Sequence, residues 1–143
     1  MRLLIADTCF WIDLFMIRET HHEFCYTFYS KNILNTKFIF PWPCMYETLR
    51  TSFVRDYNAV KRLEKELQNE NLIKYGEKNI RNLALLEMFK FNLKYGLSLS
   101  LTDCIIREII KSGRSNIKGL LTSNKKDFID VCQSCKVEIL DFS

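Results

Sequence analysis

Five residues of this sequence have types and positions that can do chemistry together. Asp7 closes a short apolar run, Leu3-Leu4-Ile5-Ala6, just before a second one carrying Phe10, Trp11, Ile12, Leu14 and Phe15. Glu47 follows the connection Pro41-Trp42-Pro43, and Asp103 follows Leu101-Thr102 at the start of an isoleucine-rich stretch. Asn124 and Asp127 follow the apolar run that ends in Leu121-Thr122. Carboxylates a few ångströms apart repel one another, and one is driven to take up a proton unless a cation intervenes. Mg²⁺ and Mn²⁺ are hard cations that prefer oxygen ligands and retain waters. Such a site activates water and offsets charge at phosphorus, the chemistry of phosphodiester hydrolysis. Taken singly, an Asp at a helix start also serves as a cap, and that is the competing explanation for Asp7 and Asp103.

Convergence depends on the elements that carry these residues. Arg2–Ala6 reads as a strand buried on both faces, as in a parallel sheet. A helix then carries Phe10, Trp11, Leu14 and Phe15, with Trp11 in the core, and a second helical stretch covers His21–Ser30. Lys37–Phe40 is the next strand, and Pro43 suits the first turn of a helix running from Cys44 to about Val54. Tyr57–Asn69 and Ile80–Tyr95 have helical periods, the latter ending at Gly96. The stretch 57–95 therefore reads as almost wholly helical, an arm on the sheet. A further helix opens at Leu101-Thr102-Asp103 and ends near Gly113. Ile117–Thr122 and Val137–Leu140 complete the strands. Strands alternating with helices predict an α/β fold of three layers, α/β/α, with a short, mostly parallel sheet of four or five strands in one domain over 1–143. In such a sheet the carboxyl ends of the strands share an edge with the starts of the following helices, and ligands bind there.

The bulk composition fits this picture. The chain has 143 residues, 27% charged and 48% hydrophobic, as in an ordinary soluble globular protein. Its four glycines and two prolines leave room for long regular elements. The formal net charge of +4 is compatible with an anionic partner without demanding one. The six cysteines are irregularly spaced in apolar patterns and read as reduced thiols of a cytoplasmic protein. Cys132-Gln-Ser-Cys135 is a lone pair without the second pair a zinc site needs. The opening residues do not read as a signal peptide, and no apolar run reaches the roughly 20 residues of a membrane span, so no membrane role is expected.

The motifs themselves resemble a known family. Ile5-Ala6-Asp7-Thr8-Cys9-Phe10-Trp11-Ile12-Asp13 resembles the opening of PIN domains, in particular the VapC toxin branch, with Cys9 where a Ser is usual. Glu47 followed by Leu49 is similar to the family's second acid, Ser98–Ile106 to its third motif, and Leu121–Phe128 to its closing motif. The resemblance spans residues 1 to about 142. It implies a metal-dependent ribonuclease with Asp7, Glu47 and Asp103 as ligands of Mg²⁺ or Mn²⁺. Asn124 stands at the fourth position in place of an acid, with Asp127 beside it. It further implies an RNA substrate, a homodimer and an antitoxin protein whose tail enters the acidic site.

Thr8, Arg50, Lys125 and Lys126 are the candidate substrate contacts. Arg50 lies three residues after Glu47 and Arg107 four after Asp103. On one helix each shares a face with its acid, either to clamp phosphate or to hold the carboxylate in a salt bridge. His21 and His22, being adjacent, point to different faces and read as non-ligands. Two alternatives stay open: a PIN-like module that binds RNA or protein without cutting, and a processing nuclease that is not a toxin.

Overall fold

The computed structural model describes residues 1–112 and 116–143. In chain order the elements are β1 (Arg2–Ala6), α1 (Thr8–Phe15), α2 (His22–Asn32), β2 (Thr36–Pro41), α3 (Trp42–Thr48), α4 (Thr51–Val54), α5 (Tyr57–Glu66), β3 (Leu72–Tyr75), α6 (Arg81–Phe89), α7 (Leu101–Lys111), β4 (Gly119–Thr122), α8 (Ile129–Cys135) and β5 (Glu138–Asp141). A π-helical turn, Lys90–Lys94, extends α6, and a 3₁₀ turn, Lys125–Asp127, precedes α8. α7 ends at Lys111; Gly113, where it was expected to stop, lies outside the described residues.

The five strands form one parallel sheet in the order β3-β2-β1-β4-β5. The chain leaves β1 to one side through β2 and β3 and then returns to its other side as β4. Right-handed crossovers place α1–α5 on one face and α6–α8 on the other. The packing agrees, with α1 against α2 and α5, and α7 against α6 and α8. The reversal of direction puts a crevice between the loops that follow β1 and β4, at the carboxyl edge.

The central strands are apolar on both faces, with Leu4, Ile5, Phe38, Ile39, Phe40, Leu120 and Leu121 at 1% exposure or less. Trp11 stacks on Phe40 with ring centroids 4.1 Å apart, and its indole N–H donates to the carbonyl of Ala6 at 3.1 Å. That contact fixes α1 to the end of β1, one residue before Asp7. At Gly119 a Cβ would come within 2.9 Å of the Leu4 Cδ2 methyl, so a larger residue there requires the Leu4 side chain to shift.

Two expectations change. The stretch 57–95 contains β3, which pairs with β2 from Phe38↔Leu72 to Pro41↔Tyr75. It is therefore tied to the sheet rather than a continuous helical arm. Four residues, Leu-Ile-Lys-Tyr, are too few to show a period of two between helices. The single helix expected from Cys44 to Val54 is broken into α3 and α4, and Arg50 precedes α4 in extended conformation (φ −82°, ψ 173°). Arg50 thus does not share a helical face with Glu47, and its side chain is exposed.

Candidate active site

Asp7, Glu47, Asp103, Asn124 and Asp127 all come to the carboxyl edge of the sheet, on four segments: the start of α1, α3, the first turn of α7 and, for both Asn124 and Asp127, the turn after β4. Asp7 leaves β1 and caps α1, its Oδ1 accepting from the backbone N–H of Thr8 at 2.7 Å. Its Oδ2 accepts from the Thr122 hydroxyl at 3.1 Å, across the crevice between β1 and β4. The backbone N–H of Asp7 donates to Leu121 at 2.9 Å, so the loop is fixed on both sides. Asp103 completes a capping box on α7: its backbone N–H donates to the Ser100 hydroxyl at 3.0 Å, and its Oδ2 accepts from the Ser100 N–H at 3.1 Å. Both aspartates are thus caps and edge carboxylates at once, so the two explanations weighed for them are compatible.

Glu47, in the second turn of α3, has both oxygens on hydroxyls. Thr8 donates to Oε1 at 2.6 Å and Thr102 to Oε2 at 2.9 Å. The Thr8 hydroxyl, a candidate substrate contact, is thus engaged by Glu47. Sequence reasoning placed Thr102 and Thr122 in motifs but gave them no role; the signal available was a threonine next to, or two residues from, each candidate ligand. Asn124 donates its side-chain amide to Asp127, and its backbone N–H donates to the Thr122 hydroxyl at 3.0 Å. Cys9 accepts the Ser123 N–H on its sulfur at 3.4 Å, the position where the resembled motif has a hydroxyl.

The electrostatics follow from burial without cations. Asp7 is 8% exposed. Burial pushes its carboxyl up to about 6, and the negative charges of Asp103 and Glu47 add to the rise. Burial likewise raises Asp103, with Asp127 and Glu47 contributing. No Lys or Arg forms an ion pair with Asp7, Glu47, Asp103 or Asp127 among the described residues. Lys125 and Lys126 are exposed on the 3₁₀ turn beside them. The donor set, three carboxylates and an amide oxygen, suits a hard cation. The arrangement is not yet a ligand cage, since no three His, Cys, Asp or Glu side chains among the described residues are gathered closely enough to hold a metal ion. Hydroxyls take the positions on Glu47 that a cation would compete for.

Arg107 behaves otherwise than its spacing from Asp103 implied. At 3% exposure it donates to Glu87 at 2.9 Å and, with two nitrogens, to Asp130 at 2.7 Å each. It also donates to the backbone carbonyl of Asp127 at 2.9 Å. It is a structural tie between α6, α7, α8 and the turn that carries Asp127, and not a phosphate clamp. His22 meets the backbone carbonyl of Asp13 at 2.9 Å, away from the acidic edge. All six cysteines are free thiols, Cys132 and Cys135 included.

No protein-family model matches the chain. No curated protein matches it. Among solved structures it is similar to a chain in the crystal structure of VapBC2 from Rickettsia felis bound to a DNA fragment from their promoter. The TM-score is 0.64 over 99% of each chain, at 12% identity. At that identity the likeness is one of fold, and the fold is the one the motif resemblance implied. No helix among the described residues is long and apolar enough to cross a membrane.

Proposed function

We propose that this protein is a metal-dependent endoribonuclease that hydrolyses RNA phosphodiester bonds, and that it acts as the toxin of a type II toxin–antitoxin pair. The observation that carries the proposal is the row of carboxylates at the switch point of the sheet, partly buried, with hydroxyls as partners and no Lys or Arg ion pair among the described residues. Asp7, Glu47 and Asp103 would hold Mg²⁺ or Mn²⁺, with the side-chain oxygen of Asn124 as a neutral fourth donor. When bound, the cation supplies an activated water and offsets charge at the phosphate. The chain's own part is positioning. Thr122 and the Thr8 N–H orient the Asp7 carboxylate, Thr8 and Thr102 orient Glu47, and the capping box orients Asp103. Lys125, Lys126 and Arg50 are exposed cations available to backbone phosphates. The fold likeness to a VapBC2 chain supports an antitoxin partner. A homodimer and a cytoplasmic setting belong to the same reading.

A second reading is favoured by one feature. Because no ligand cage is preformed among the described residues, a module that binds RNA without cutting it also fits the edge. The experiment that separates them is cleavage of a labelled single-stranded RNA in Mn²⁺ and in EDTA, with Asp7→Asn alongside. Cleavage that needs Mn²⁺ and Asp7 supports the nuclease. RNA binding without Mn²⁺-dependent cleavage supports the module, and indifference to RNA defeats both.

A further inference from the structure

Beside the acidic edge lies a cleft of about 760 Å³. One wall is the segment 96–99. Gly96 turns it out of the π-helical end with φ +66°, and the Asn92 amide holds it by two 2.8 Å hydrogen bonds to the backbone of Leu99. The opposite wall is the closing turn with Asn124, Lys126 and Asp127, continued by Gln133 of α8. Phe91 also lines it, with the Arg107 guanidinium 4.8 Å from the ring centroid.

The charges lining this cleft balance: Arg107 and Lys126 against Asp127 and Asp130. Arg107 is engaged by Glu87, Asp130 and the Asp127 carbonyl, and the Asp127 carboxylate is engaged by Asn124. The side chains of Gln133 and Lys126 make no hydrogen bond among the described residues, and both are exposed.

We propose that this cleft receives one nucleobase of the RNA strand next to the scissile phosphate, and that Gln133 reads its edge. The inference rests on the ribonuclease reading of the acidic edge. A neutral cleft is a poor track for phosphates and a good seat for an uncharged base. Its wall shares Asn124 and Asp127 with the acidic edge, so a strand cut there continues into it. Unpaired RNA presents its Watson–Crick edge to protein groups. A primary amide offers both a donor and an acceptor to that edge.

The test uses the full chain in the cleavage-silent Asp7→Asn background, with Mn²⁺, and fluorescein-labelled oligo(A), oligo(C), oligo(G) and oligo(U) read by anisotropy. The expected result is a preference for one homopolymer that falls about tenfold in Gln133→Leu, the size of one lost base-edge contact. Ser134→Ala, exposed on the same helix and outside the cleft, keeps the preference. Equal binding of all four homopolymers by the Asp7→Asn protein overturns the proposal. So does a preference that survives Gln133→Leu, which assigns the cleft to another occupant, a peptide segment first. If the native chain as well neither binds nor cuts any RNA, the ribonuclease reading falls and this inference falls with it; intact RNA cleavage by the native chain beside a failed Gln133 test sinks the subsite alone.

Discussion

Two groups of carboxylates lie on neighbouring parts of this molecule and are treated in opposite ways. Glu87 and Asp130 are bound to Arg107, and Glu87 also to Lys111, in a network that closes on itself. Asp7, Glu47 and Asp103 are bound to threonine and serine hydroxyls and to backbone N–H groups, with no cation among the described residues. Arg107 holds Asp130 below the usual carboxylate range, whereas burial and neighbouring acids push Asp7 up to about 6. A charge network that is satisfied internally has nothing left to bind and serves the scaffold. One that is oriented by neutral donors but not neutralised retains its appetite for a cation. That difference, more than the presence of acids, distinguishes a site from a strut.

The largest expected effect separates the two groups by activity. Asp7→Asn or Asp103→Asn lowers Mn²⁺-dependent RNA cleavage by more than the roughly 10–100-fold that outer-shell changes cost at metal sites. Asn keeps an acceptor oxygen for each cap, so circular dichroism and melting should show a folded protein. Asp130→Asn leaves the Mn²⁺ response in place. If Asp130→Asn abolishes the Mn²⁺ response and Asp7→Asn does not, the two roles are reversed.

By stability the order inverts. Arg107→Ala strands Glu87, which is 8% exposed, without its buried partner. The expected loss is about 3–5 kcal/mol in urea denaturation. Replacing both partners with apolar residues, Arg107→Met with Glu87→Leu, recovers most of it, because neither charge then remains buried alone. A full-size loss in the double variant would mean that the Asp127 carbonyl contact, and not the ion pair, is what stabilises.

The pH dependence in EDTA sharpens the contrast. The folded-state value of Asp7 lies above its unfolded value of 3.8, at about 6. The folded chain therefore holds the extra proton between those values, and stability falls as pH rises from about 4 to above 6. A shift of about two units corresponds to roughly 2–3 kcal/mol, absent in Asp7→Asn. Asp130 has the opposite sign: its stabilisation is present above 3.8 and is lost as pH falls through its lowered folded value. Melting curves of the two Asn variants against pH should diverge in those directions, and parallel curves would remove the electrostatic distinction.

The placement of Asp7 and Asp103 at the edge was legible in the sequence because Asp7 follows an apolar strand and Asp103 lies in the first turn of an apolar helix. The parallel sheet, Trp11 in the core and the free thiols were legible for similar local reasons. Arg107 was not, because its partners lie 20 residues before and 23 after it, and helical spacing pointed to Asp103 instead. β3 was hidden by its length. The hydroxyls on Glu47 were hidden because Thr8 and Thr102 meet it only across the fold, at separations of 39 and 55 residues.

The smallest expected effect concerns Asn124, where the two kinds of carboxylate environment meet. Position 124 read from sequence alone is a weakened ligand, and Asn124→Asp is then a simple gain of charge toward a second cation. The structure adds a cost, since the Asn124 amide donates to Asp127. An aspartate there cannot donate and places a like charge against Asp127 and near Asp103. In EDTA the variant should therefore lose about 1 kcal/mol or somewhat more, the cost of one hydrogen bond replaced by repulsion. In Mn²⁺ the same carboxylate adds a charged ligand and should restore that loss by mass action. Its melting temperature thus rises with Mn²⁺ more steeply than that of the parent, with cleavage retained. Asn124→Ala, which loses the amide without adding charge, should show the EDTA loss and no extra Mn²⁺ response. An Asn124→Asp chain whose Mn²⁺ response equals that of Asn124→Ala would place residue 124 with the scaffold, on the Arg107 side of the comparison, and leave Asp127 as the fourth ligand.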